Sequence, residues 1–126
     1  MSEPLLIGAC LYDHRQLAVA RRTVHAGMFA NESHRLLWTA MCELADDGAV
    51  PDPPTVLDLL ARQGTVDQLG DVTKVHDLYR DVTPANAPRY AERVVRDHRA
   101  RRLEAALMSG RAMLSDGADP DEVLAE

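Results

Sequence analysis

The segment from Asn86 to Asp116 constrains this chain most. Its periodicity is helical from end to end, with two apolar stretches separated by a polar one. Tyr90, Ala91, Val94 and Val95 form the first stretch. Arg96 to Arg102 then reads RDHRARR and holds no aliphatic side chain larger than alanine. Leu103, Leu107, Gly110 and Leu114 follow at near-heptad spacing. A helix that leaves one core, crosses solvent and enters a second apolar contact has this pattern. Asp116-Gly117 ends it. Asp119-Pro120 reads as the N-cap and first turn of a short final helix, with Asp121 and Glu122 suited to its dipole. That helix offers only Val123 and Leu124 to cover the leucine seam, and each leucine left in water forgoes about 1.5–3 kcal/mol. A partner chain, or sequence beyond Glu126, is expected to complete the contact. The predicted interface is a helical hairpin seam of Leu103, Leu107, Gly110, Leu114, Val123 and Leu124.

The rest of the chain is helical as well. Leu5, Leu6, Ala9 and Cys10 mark one face of an opening helix, and Leu17, Ala20 and Val24 mark a second, with Gly27 in the break after it. Asn31 is a suitable N-cap for a third helix, whose apolar stripe is Leu36, Leu37, Ala40, Met41 and Leu44. Gly48 ends it. In PDPPTVLDLLARQG, Asp52 caps and the prolines occupy a first turn, where no N–H is missed. Val56, Leu57 and Leu60 face inward, and Gly64 closes the segment. Val72, Val75, Tyr79 and Val82 form the seam of a fifth helix, broken at Thr83-Pro84. No alternating β-branched run competes. The expected fold is all-α: a compact orthogonal bundle of five to six helices over residues 1–100, then the hairpin over 101–126.

Composition excludes several function classes. With 46% hydrophobic and 27% charged residues, the 126-residue chain is ordinary for a soluble globular domain. No apolar run approaches the ~20 residues of a membrane span. Glu3 lies early and no basic segment precedes the first apolar run, so a secretory leader is not expected. Cys10 and Cys42 form no disulfide framework; both are expected buried and reduced, in a cytoplasmic protein. The net charge of −6 is uneven. Seven arginines face four acids between Asn86 and Asp116, and the remainder is strongly acidic. Direct nucleic-acid binding is therefore disfavoured.

Catalytic and cofactor signatures are absent. There is no phosphate-binding loop for ATP, no dinucleotide fingerprint and no nucleophile elbow. The histidines His14, His25, His34, His76 and His98 show no zinc spacing, so neither metal nor cofactor is expected. His34, near Glu32 in the first turn of the third helix, reads as a capping or packing residue. Arg89, Arg93 and Arg96 share one face of the long helix, where they either contact an anion or acidic partner or form local ion pairs with Glu92 and Asp97. Phe29 and Trp38 read as core or interface anchors.

In order and spacing, these segments resemble the N-terminal domain of DnaB-type replicative DNA helicases. EPLLIGACLYD is similar to that family's opening helix. MFANESHRLLWTAMCELADDG resembles its phenylalanine–histidine–aromatic segment at Phe29, His34 and Trp38. PDPPTVLDLLARQG matches at Asp52, Pro53, Thr55, Val56 and Leu60. TPANAPRYAERVVRDHRARRL matches the asparagine-led long helix at Asn86, Tyr90, Ala91, Val94, Val95, Arg96 and Asp97. Two positions depart from the pattern: Leu69-Gly70-Asp71 replaces paired glycines, and Ala30 stands where an aromatic is common.

The resemblance implies a globular helical subdomain followed by a helical hairpin. Hairpins of the family pair, and the domains build a collar on a hexameric motor. The collar binds primase, and the ATP-binding motor lies in a separate domain. The implied function is a non-catalytic oligomerisation and primase-docking module acting in DNA replication and primosome assembly. Its expected partners are a second copy of itself (a dimer, extending to a hexameric collar), primase, and the helicase motor domain or loader, with no membrane. The alternatives are a stand-alone relative that regulates helicase or primase, and a dimeric DNA-binding regulator using the arginine face. An enzyme would need an acid–base constellation that the sequence lacks.

Overall fold

The computed structural model describes residues 2–70, 73–78 and 80–125. It contains α-helices and single 3₁₀ turns, and no strand among the described residues. The helices are α1 (Ser2–Tyr12), α2 (Arg15–Ala20), α3 (Glu32–Asp46), α4 (Pro53–Arg62), α5 (Thr73–Asp77), α6 (Ala87–Ser115) and α7 (Pro120–Ala125). The chain divides into two compact units, Met1–Val95 and Arg96–Glu126, so α6 contributes residues to both.

Local chemistry sets the helix ends. The Asn31 side chain accepts from the backbone N–H groups of Ser33 and His34 at 2.8 and 3.4 Å. This satisfies two donors that the first turn of α3 leaves open. Asp52 does the same for Thr55 at 2.9 Å, ahead of Pro53 and Pro54. At the far end of α3, Gly48 takes φ +80°. That conformation lets the N–H groups of Gly48 and Ala49 return to the carbonyls of Ala45 and Leu44.

The core of the first unit is built around α1, which packs on α2, α3 and the 84–86 turn. Leu6, Ile7, Ala9 and Cys10 are all fully buried. The burial extends around most of the helix, through Gly8 and Leu11, and is not confined to one face. Leu5, expected on the apolar face, is instead 38% exposed. A helix surrounded by neighbours loses the one-sided pattern from which a face is inferred. From α3, Leu37, Trp38, Ala40, Met41 and Leu44 enter the same core. Phe29 and Trp38 are buried with ring centroids 5.2 Å apart, so they anchor the core. Val56 and Leu60 add α4, and Ala87, Ala91 and Val94 add the first turns of α6.

Three further expectations are corrected. Val24 is buried but lies beyond the end of α2, in the segment leading to the 26–28 turn. Among the described residues the fifth helix spans Thr73–Asp77; Val75 is buried, Val82 lies outside the helix, and Val72 and Tyr79 fall outside the described residues. Cys10 is buried as expected, whereas Cys42 is only half-buried.

Candidate interaction surface

The second unit contains the end of α6, a turn and α7. Gly117 takes φ +89° and, with Ala118, returns N–H groups to Leu114 and Met113, which closes α6. Asp119 then caps α7 by accepting from the Asp121 N–H at 2.8 Å. One contact is tight: a Cβ built on Gly110 would lie 3.1 Å from Cγ1 of Val123. Gly110 thus gives Val123 room to rest on α6.

At 100° per residue, Leu103, Leu107, Gly110 and Leu114 fall within an arc of about 60° on α6. The three leucines of this seam are exposed, at 63%, 66% and 47%. Val123 is half-buried, but Leu124 is 84% exposed and covers almost nothing of α6. The expected cover by two residues therefore reduces to Val123 over Gly110. Met108, which the seam pattern did not include, is also exposed.

Arg89, Arg93 and Arg96 are all exposed on α6. Among the described residues neither Glu92 nor Asp97 forms an ion pair with them, so the local pairs expected on this face do not form.

His34 is held on the first unit rather than free in a cleft. Its Nδ1 lies 2.9 Å from Oε1 of Glu3. Glu3 also accepts from the backbone N–H groups of Ala30 and Asn31 at 2.9 and 3.3 Å. Burial alone would raise the Glu3 carboxyl; the Ala30 amide, His34 and the Asn31 amide outweigh it and hold the carboxyl below the ordinary glutamate value. Arg35 completes the clamp by donating to the carbonyls of Phe29 and Ala30 at 2.8 and 3.1 Å. The role of Glu3 is not legible in the residue order because spacing carries no trace of a contact 27 to 31 residues away; Arg35 reaches back only five and six residues, but to carbonyls of a turn that helical periodicity does not describe.

Among the described residues no group of three His, Cys, Asp or Glu side chains could hold a metal. Among the described residues no buried side-chain polar atom lacks a hydrogen-bond partner. Burial pushes the Cys10 thiol up to about 12, with Cys42 and Asp13 adding to the effect. Burial also raises Cys42, so neither is an activated thiolate at neutral pH.

A family model for the DnaB-like helicase N terminal domain matches residues 1–96. The chain belongs to that family. The crystal structure of the N-terminal domain of DnaB helicase from Mycobacterium tuberculosis is similar to this DnaB-type domain, with a TM-score of 0.87 at 28% identity. That likeness covers 98% of this chain and 88% of the mycobacterial one. A search of curated proteins gives no match. The family match ends at residue 96, before the leucine seam begins, whereas the structural likeness extends over nearly all of the DnaB-type domain. No described helix is long and apolar enough to cross a membrane.

Proposed function

We propose that this DnaB-type N-terminal domain is a non-catalytic assembly module. It pairs with a second copy through α6 and acts in DNA replication as part of a helicase collar that docks primase. The observation carrying this reading is the seam itself: Leu103, Leu107 and Leu114 share one helical face and stand exposed. Apolar side chains repeating at coiled-coil spacing on one face fit a facing helix of the same kind. Gly110 lets Val123 rest on α6 beside that face. The exposed arginines Arg89, Arg93 and Arg96 supply forked donors suited to carboxylates of an acidic partner.

Static light scattering over a concentration series tests the pairing. A dimer or larger species is expected, and a species that stays monomeric at high concentration counts against the reading. Calorimetric titration with primase tests the docking. Saturable binding weakened by Arg89→Glu and Arg93→Glu is expected; no heat of binding to an assembled wild-type protein removes primase from the list of partners.

A further inference from the structure

The second unit carries a charged surface apart from its seam. Along α6 from Arg96 to Ser115 there are five arginines and only two acids, Asp97 and Glu104. Arg96, Arg99 and Arg102 are exposed, and none of them forms an ion pair among the described residues. At 100° per residue, Arg99 and Arg102 lie about 60° and about 120° round the helix from Arg96 in one direction. Asp97 and Glu104 lie about 100° and about 80° round in the other. The three arginines therefore make an arc with no carboxylate in it. The leucine seam runs in line with Arg96, so Arg99 and Arg102 stand on one flank of it.

The net charge of −6 disfavours nucleic acid over the surface as a whole. Charge acts locally, however: at physiological salt it is largely screened beyond about 8 Å. Val123 brings α7 onto α6 at Gly110, eight residues or about 12 Å beyond Arg102, and Asp116 follows about 21 Å beyond it. The acidic end of the unit thus lies outside the screening distance of the arc.

The chemistry of the arc favours one class of ligand. A protein partner held firmly needs apolar anchors at the centre of its contact. On this flank the next exposed side chains along α6 are Ala106 and Ser109, which offer none. Residues 96–126 hold no Phe, Tyr or Trp, so there is no platform on which a base could stack. What remains is a row of forked cations suited to phosphate oxygens.

We infer that Arg96, Arg99 and Arg102 bind the sugar–phosphate backbone of nucleic acid, by charge and without reading sequence. The contact does not require α6 pairing, because Arg99 and Arg102 lie beside the seam.

Fluorescence anisotropy with the full chain and labelled DNA of mixed sequence tests it, single-stranded in one arm and duplex in the other. Three phosphates neutralised per copy predict log–log salt slopes of about −2.7 for duplex and about −2.1 for single strand, so duplex affinity should fall about 40-fold between 50 and 200 mM salt. The double variant Arg99→Glu, Arg102→Glu should bind at least about tenfold more weakly at low salt, with its oligomeric state in light scattering unchanged. The double variant Arg99→Lys, Arg102→Lys keeps the charge and should stay within about threefold of the wild type. Absence of saturable binding at low salt overturns the inference, as does an affinity unmoved by the double charge reversal. Poly-glutamate that displaces the labelled DNA as efficiently as unlabelled DNA of equal charge overturns it too, because the arc would then take an acidic polypeptide.

Discussion

The carboxylate of Glu3, in the first turn of α1, reaches His34 in the first turn of α3 at 2.9 Å. The same carboxylate accepts the N–H groups of Ala30 and Asn31, so one side chain of the central helix fixes the turn that launches α3. Arg35 holds the carbonyls of that turn from the other side. His34, which the sequence marks as a capping or packing residue, is committed to this clamp.

Replacing Glu3 with alanine leaves two backbone donors and an imidazole without their acceptor. Because Glu3 and His34 are largely shielded from water, the expected loss is about 1–3 kcal/mol in urea unfolding at pH 7. The α6 seam should be unaffected, so the oligomeric state at concentrations well below unfolding should match the wild type.

The stability contributed by Glu3 depends on pH with a definite sign. Its carboxyl is held below the ordinary glutamate value in the folded protein. The contribution is therefore complete above about pH 4.3, the unfolded value, and is lost as pH falls through the lower folded value. The stability gap between wild type and Glu3→Gln, followed by denaturant unfolding from pH 7 to pH 3, should be constant at first and then close at the acid end.

Trp38 anchors the first unit, buried against Phe29 with centroids 5.2 Å apart. Trp38→Ala should destabilise the domain by about 3–5 kcal/mol through lost burial and the cavity left behind. The midpoint of urea unfolding should fall accordingly, in contrast to any seam substitution.

Leu103 and Leu107 are more than 60% exposed, so Leu103→Glu and Leu107→Glu should change unfolding free energy of a dilute sample by less than about 0.5 kcal/mol. Their effect should appear in association instead. Sedimentation should show the double variant as a smaller species than the wild type at equal concentration.

Gly110→Ala sets two effects against each other. Alanine favours the α6 helix by about 1 kcal/mol over glycine. Its methyl group would crowd Val123, which stands 3.1 Å from that position. Since α7 is a single short helix, it should yield: hydrogen exchange should quicken across Pro120–Ala125 while the body of α6 stays protected.

Much of this was legible in the residue order because it is local. Asn31, Asp52 and Asp119 act on N–H groups two or three positions away, and Gly48, Gly64 and Gly117 end helices through their own φ. The α6 seam could also be read, since a heptad repeat on one helix needs no knowledge of the rest of the chain. The fifth helix could not be read in the same way. Its apolar spacing over Val72–Val82 suggested a longer element than Thr73–Asp77, because periodicity alone does not count the hydrogen bonds that define a helix.

The sequence by itself determined that the chain is helical, where most helices begin and end, and that α6 carries leucines on one face. These follow from capping, backbone preference and 3.6-residue periodicity, which act over a turn or two. Tertiary structure alone decided that α1 is buried on nearly all sides, that Glu3 reaches across to His34, and that Val123 covers Gly110 while Leu124 stays exposed. Those outcomes depend on which distant surfaces meet, and that is settled by burying apolar area across the whole chain rather than by any neighbouring residue.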